Sequence, residues 1–149
     1  MKVKVYRTRE TAKLPVRAHE TDAGMDFFFS PEVMKPVVIF PKESYLLQTG
    51  VKMEVPANFM LQIMNKSGVA SKRSLVTGAC VVDRGYDGEI FVNLHNIGDQ
   101  PQTVNPGQKI AQGVFVQIAV PSVEEVFEDS IYEQVTARGQ GALGSTGDY

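Results

Sequence analysis

Apolar residues along the chain come in short runs broken by Gly, Pro, Asn and Asp, and few windows hold a 3.6-residue period long enough to make a helix. This punctuation predicts an all-β protein. Strands are expected over Val3–Tyr6, Met25–Phe29, Val37–Phe40, Tyr45–Leu47, Val51–Val55, Phe59–Met64, Ala79–Val82, Ile90–His95 and Ile110–Val120, each bounded by turn-forming residues. Their number and spacing point to a β-sandwich or jelly roll. Only the segment from Ser67 to Leu75 carries residues suited to a short helix or 3₁₀ turn. The run Phe27-Phe28-Phe29 lacks interleaved basic residues and reads as a buried strand rather than a base-stacking platform. Asn105-Pro106-Gly107 has turn chemistry, with φ fixed at the proline and positive φ allowed at the glycine. The apolar runs on either side of Asp83–Gly88 suggest a hairpin with Asp83 and Tyr86 together at its tip. From Ala137 the pattern stops: a Gly-rich arm, 137–149, follows a β domain, 1–136.

Composition narrows the picture. With 149 residues and 43% apolar side chains, one domain with a proper core is expected. The formal charge of −2 gives no electrostatic reason to bind duplex nucleic acid or an anionic membrane non-specifically. Cys80 is the only cysteine, so neither an internal disulfide nor a multi-cysteine zinc site is expected. The first residues lack an apolar signal-peptide core, and no run approaches about 18 apolar residues. An intracellular, cytoplasmic protein is the expectation.

Three segments carry candidate chemistry. Asp83, at a strand end beside Val81 and Val82, suits a partly desolvated general base, although a carboxylate there also commonly caps a turn. Tyr86 is placed to stack on a sugar. Lys66, Ser67 and Gly68 offer a charge, a hydroxyl and bare backbone for a phosphate, or alternatively a helix N-cap at Ser67 beside a solvated lysine. In the arm, Arg138 with the following glycines, Ser145 and Thr146 has the groups needed to wrap a polyphosphate, and equally the composition of a disordered tail. His19 and His95 have no partners at metal-ligand spacing. Cys80, in an apolar context, reads as a small core residue.

Taken in order, these segments resemble the motifs of the trimeric dUTP pyrophosphatase (dUTPase) family. The resemblance runs through Ala23-Gly24-Met25-Asp26, Lys66-Ser67-Gly68-Val69-Ala70, Cys80 to Glu89, Lys109-Ile110-Ala111-Gln112, and Arg138 to Gly147. It implies a dUTPase-like β-clip fold and Mg²⁺-assisted hydrolysis of dUTP to dUMP and pyrophosphate, limiting uracil incorporation into DNA and supplying dUMP for dTMP synthesis. Asp83 would activate the water that attacks the α-phosphorus, and Tyr86 would pack on deoxyribose and exclude a 2′-hydroxyl. The strand from Thr77 through Cys80 to Val82 would read the base. Lys66, Ser67, Gly68 and Gln112 would contact phosphates. Arg138, Leu143, Gly144, Ser145 and Thr146 would close the arm over the nucleotide, with Asp26 behind them or near the trimer axis. The family's homotrimer would share its sites between subunits, and Mg²⁺ would be held by phosphates and waters rather than by protein ligands.

Some positions depart from the family pattern. Lys66 and Lys109 stand where Arg is usual, which turns bidentate phosphate contacts into point charges. Leu143 replaces an aromatic that covers the base, and Cys80 and Ala142 replace common glycines. Rival readings are a dCTP deaminase-like enzyme, for which no extra acid/base residue stands beside Asp83, and a nucleotide-gated protein that regulates a protein partner.

Overall fold

The computed structural model describes residues 2–132 and 134 of the chain. Residues Met1–Ala119 form one compact unit. It is built from short antiparallel strands and one α-helix: β1 (Val5–Arg7), β2 (Met25–Phe28), β3 (Val37–Ile39), β4 (Ser44–Gln48), β5 (Val51–Met53), β6 (Phe59–Met64), α1 (Ser67–Arg73), β7 (Leu75–Thr77), β8 (Val81–Val82), β9 (Phe91–Asn96), β10 (Gln102–Val104) and β11 (Lys109–Gln117). One sheet has the order β2-β11-β6-β8 and another β4-β9-β7, while β1 pairs with β5 and β3 with β10. The β-sandwich class expected from the punctuation is therefore what the chain adopts.

The period-2 pattern explains which side chains face inward. Along β9, Val92 and Leu94 are buried while His95 is exposed, and along β6, Leu61 and Ile63 are buried while Met64 is exposed. Phe27, Leu61, Ile63 and Ala111 from the larger sheet join Leu47, Leu75, Val92 and Leu94 from the other in one continuous core. Each large apolar side chain removed from water in this way contributes about 1.5–3 kcal/mol. The Phe27-Phe28-Phe29 run is buried throughout, as its lack of basic neighbours suggests. At the centre, Gly113 of β11 lies against the Phe27 ring; a Cβ there would sit 2.5 Å from Phe27 Cε2 and 2.9 Å from Leu61 Cδ1. Asn105-Pro106-Gly107 is the turn expected, with Gly107 at φ 83° and Gln108 N–H donating to Asn105 O at 3.1 Å.

The one short helix expected within Ser67–Leu75 is α1, which stops at Arg73, where Ser74 takes a left-handed conformation at φ 52°. Three local expectations are corrected. β7 and β10 have no counterpart among the strands expected from the sequence. β11 ends at Gln117 rather than at Val120. Most consequentially, Asp83–Gly88 does not join a hairpin: β8 pairs with β6, β9 pairs with β4 and β7, and the segment crosses from one sheet to the other.

In the second unit, Val120–Tyr149, the described residues hold one 3₁₀ turn, Glu128–Ser130. The arm from Ala137, including Arg138, Leu143, Gly144, Ser145 and Thr146, lies outside the described residues. No helix among the described residues is long and apolar enough to cross a membrane.

Candidate active site

Two clusters of chemistry-bearing residues are placed by the larger sheet. The first forms where β8 ends. Its pairing with β6 sets Val82 opposite Leu61, and Ile63 N–H donates to Cys80 O at 2.7 Å. Beyond this edge lies a cavity of about 260 Å³, walled by Leu46, Ile63, Cys80, Val82 and Phe91, with Asp83 and Tyr86 also on its lining. An apolar slot with a carboxylate and an aromatic ring suits a flat heterocycle attached to a sugar.

Among the described residues Asp83 is exposed rather than partly desolvated, since it lies just past the end of β8 in the crossover. Cys80 is likewise half-buried at the slot and outside β8, not a core residue. A tight turn holds Asp83 and Tyr86 on one segment, with Tyr86 N–H donating to Asp83 O at 3.3 Å and Gly85 at φ 89°. The Tyr86 hydroxyl donates to Glu89 O at 2.8 Å. Its ring lies so close over Gly88 that a Cβ there would be 2.4 Å from the hydroxyl oxygen.

The second cluster is built around Asp26 on β2, which is only 6% exposed. Lys66 Nζ donates to Asp26 Oδ1 at 2.8 Å, and Lys109 Nζ lies 2.7 Å from Oδ2. Burial pushes the Asp26 carboxyl up, but the hydrogen bonds and charges of Lys109 and Lys66 outweigh it and hold the group below its ordinary value. Since an ammonium has three donors, Lys66 keeps hydrogen-bonding capacity for an anion while bound to Asp26. Gln112 sits opposite Asp26 in the β2–β11 register. Asp26, Lys66, Gln112, Gly24 and Asp22 line a cavity of about 180 Å³.

Gly24 is required here for close approach: a Cβ would lie 2.4 Å from Gln112 Oε1. Gln112 Nε2 donates to Asn65 O at 2.9 Å, while Asn65 Oδ1 accepts from Thr77 N–H at 2.7 Å and Thr77 Oγ1 at 3.0 Å. Asn65 thus ties Gln112 to the strand β7 on which Thr77 lies. Sequence reasoning gave Asn65 no role; its one signal is a polar residue directly after a strand and before Lys66.

Ser67 and Gly68 follow Lys66 as the exposed first residues of α1. The cap position is Lys66, with no side-chain cap, so the N-cap alternative for Ser67 fails. Among the described residues a Cβ on Gly68 would meet nothing within 4 Å, so none of them calls for glycine there. Of the residues singled out from sequence, the fold gathers Asp26, Lys66 and Gln112 at one cavity and Cys80, Val82, Asp83 and Tyr86 at another, with Thr77 linked to the first through Asn65. His19 and His95 are both exposed, the latter within β9. Among the described residues no three His, Cys, Asp or Glu side chains gather closely enough to hold a metal ion.

An apolar slot with a carboxylate and a tyrosine, together with a separate polar cavity that Lys66 lines, makes this a β-sandwich protein with room for an apolar ring and for an anion. Comparison with known proteins agrees. The dUTPase family model matches residues 10–147, and the chain belongs to that family. It is 39% identical over 149 residues to the deoxyuridine 5'-triphosphate nucleotidohydrolase of Clostridium novyi, covering 99% of each chain. It is also 39% identical over 149 residues to the protein of the same name from Gloeothece citriformis, covering 99% of this chain and 97% of the relative. Among solved structures, the dUTPase of Staphylococcus bacteriophage 80alpha with dUpNHpp superposes with a TM-score of 0.87 at 27% identity, covering 98% of each chain. A variant dUTPase of phage phi11 of S. aureus, described with a structural Mg(II) ion, gives a TM-score of 0.79 at 27% identity, over 90% of this chain and 100% of that one.

Proposed function

We propose that the chain is a dUTP diphosphatase that hydrolyses dUTP to dUMP and pyrophosphate. The observation that carries this reading is the Asp83–Tyr86 segment, set by the crossover on the lining of an apolar slot in a chain of the dUTPase family. In this reading the base enters the slot against the backbone of Thr77 to Val82 and the side chain of Cys80. Tyr86 packs on the deoxyribose and leaves no room for a 2′-hydroxyl. Asp83 takes a proton from water as the water oxygen bonds to the α-phosphorus, and the bridging α–β P–O bond breaks to release pyrophosphate. Exposure suits Asp83 to this task in one respect: a water is available to it before the site closes.

Lys66 and Gln112, with Ser67 and Gly68 beside them, meet the phosphates. Asp26 fixes Lys66, and Asn65 fixes Gln112, so the donors are oriented before substrate arrives. Mg²⁺ enters as the complex with the triphosphate and offsets its charge. The two clusters line separate cavities of one chain, which supports a site completed by neighbouring copies in a homotrimer. The arm, 137–149, would then close through Arg138, Leu143, Gly144, Ser145 and Thr146 over the nucleotide and exclude water.

A substrate panel tests the proposal. With Mg²⁺ present, pyrophosphate release is expected from dUTP with a kcat/KM far above that for dTTP, dCTP or UTP. Ammonia release from dCTP would instead establish a deaminase, and dUTP binding without turnover would point to a nucleotide-gated binding protein. Light scattering of the active protein checks the trimer, since a fully active monomer would refute a shared site.

A further inference from the structure

Tyr86 is 48% exposed, and it lines not only the Asp83 slot but also a second cavity of about 500 Å³ bounded by β1, β5 and the Arg84–Asp87 loop. With open space on both sides, packing alone leaves the ring free to swing. Its fixed points are the close approach over Gly88 and the hydrogen bond from its hydroxyl to Glu89 O.

Glu89, in turn, is held by its side chain. Arg9 meets it through two parallel contacts, Nη2 to Oε2 at 2.5 Å and Nη1 to Oε1 at 3.2 Å, and Gly50 N–H donates to Oε1 at 2.7 Å. Arg9 also donates to Ser30 O. The two side chains are only 14% and 13% exposed, so the pair is shielded from competing water and salt. Gly50, at φ 71°, admits the arrangement, since a Cβ there would lie 2.5 Å from Ala12 Cβ and 3.2 Å from Arg9 Nη1. A rigid link therefore runs from Arg9, just after β1, through Glu89 to the Tyr86 hydroxyl.

We infer that the Arg9–Glu89 pair positions Tyr86, and so sets discrimination between deoxyribose and ribose at the slot. The inference rests on the reading that Tyr86 packs against the sugar. Glu89 and Arg9 are positioning residues, since they act through Tyr86.

The test is the ratio of kcat/KM for dUTP to that for UTP, which a general loss of folded protein does not move. Glu89→Gln keeps the shape and one acceptor for Gly50 but removes the charge, and should lower the ratio on the order of fivefold to tenfold, the size of one hydrogen bond. Tyr86→Phe, which removes the hydroxyl, should lower it by a similar factor, and the double variant should fall no further than the larger single effect. Arg9→Lys, which keeps the charge but not the fork, should give an intermediate ratio and serves if Glu89→Gln fails to fold. Equal loss for both substrates, or an unchanged ratio in Glu89→Gln where Tyr86→Phe lowers it, would overturn the inference. Tyr86→Ala with an unchanged ratio would instead show that the sugar-packing reading fails, and the inference with it.

Discussion

Asp26→Asn removes the one negative charge between two lysines while keeping the side chain's shape. Asp26 is 6% exposed, with Lys66 and Lys109 at 2.8 and 2.7 Å from its oxygens. Removing one partner of a buried ion pair costs about 3–5 kcal/mol. Here the lysine side chains keep 32% and 41% of their exposure, so solvent takes up part of the loss. The expected cost is roughly half, about 1.5–2.5 kcal/mol, which lowers the melting temperature of a chain this size by roughly 3–10 °C.

The pH dependence has a definite sign. Asp26 titrates below its ordinary value of 3.8, so its stabilisation is fully present above that pH and fades as pH falls through the lower folded value. Asn does not titrate. Urea unfolding of both proteins at one fixed concentration, from neutral pH to about pH 3, should show the stability gap constant down to the ordinary carboxylate range and narrowing below it. No gap at neutral pH, or a gap equally large at the acid end, would refute the ion-pair account.

Four further perturbations have definite expected outcomes. Gly113→Ala forces a Cβ to 2.5 Å from the buried Phe27 ring and should destabilise by about 1–3 kcal/mol in denaturant unfolding. Gly68→Ala meets nothing within 4 Å among the described residues and should raise the melting temperature or leave it unchanged, since Ala is favoured over Gly in a helix by about 1 kcal/mol. The same variant should raise KM for dUTP, and an unchanged KM would remove Gly68 from the phosphate site. Deleting residues 138–149 should cut kcat on the order of tenfold or more, whereas unchanged turnover would remove the arm from the mechanism. Chelating Mg²⁺ should abolish turnover without lowering the melting temperature, as befits an ion that arrives with the triphosphate.

The sandwich was readable because its inward positions repeat every second residue in runs such as Leu61-Gln62-Ile63 and Val92-Asn93-Leu94. β7 escaped because Ser74, unlike glycine, gives no sequence warning of a left-handed helix end, and β10 because Gln102-Thr103-Val104 holds a single apolar residue. Partner choice escaped too. Val81-Val82 and Phe91–Asn96 both look like strands, but nothing local says that one pairs with β6 and the other with β4 and β7. The candidate site followed the same division. Asp83, Tyr86, Lys66 and Gln112 stand out by type within punctuated segments, whereas Asn65, Arg9 and Glu89 act through contacts 12, 80 and 39 residues away in the chain, which no local pattern records.

The central claim is that Asp83 activates the attacking water. Pyrophosphate release from dUTP with Mg²⁺, measured in parallel for the protein and for Asp83→Asn at matched dUTP binding, tests it most directly. The account expects turnover to fall by about 10²–10⁴ in the variant while dUTP still binds. An Asp83→Asn protein that binds dUTP and hydrolyses it at the unaltered rate would contradict the account.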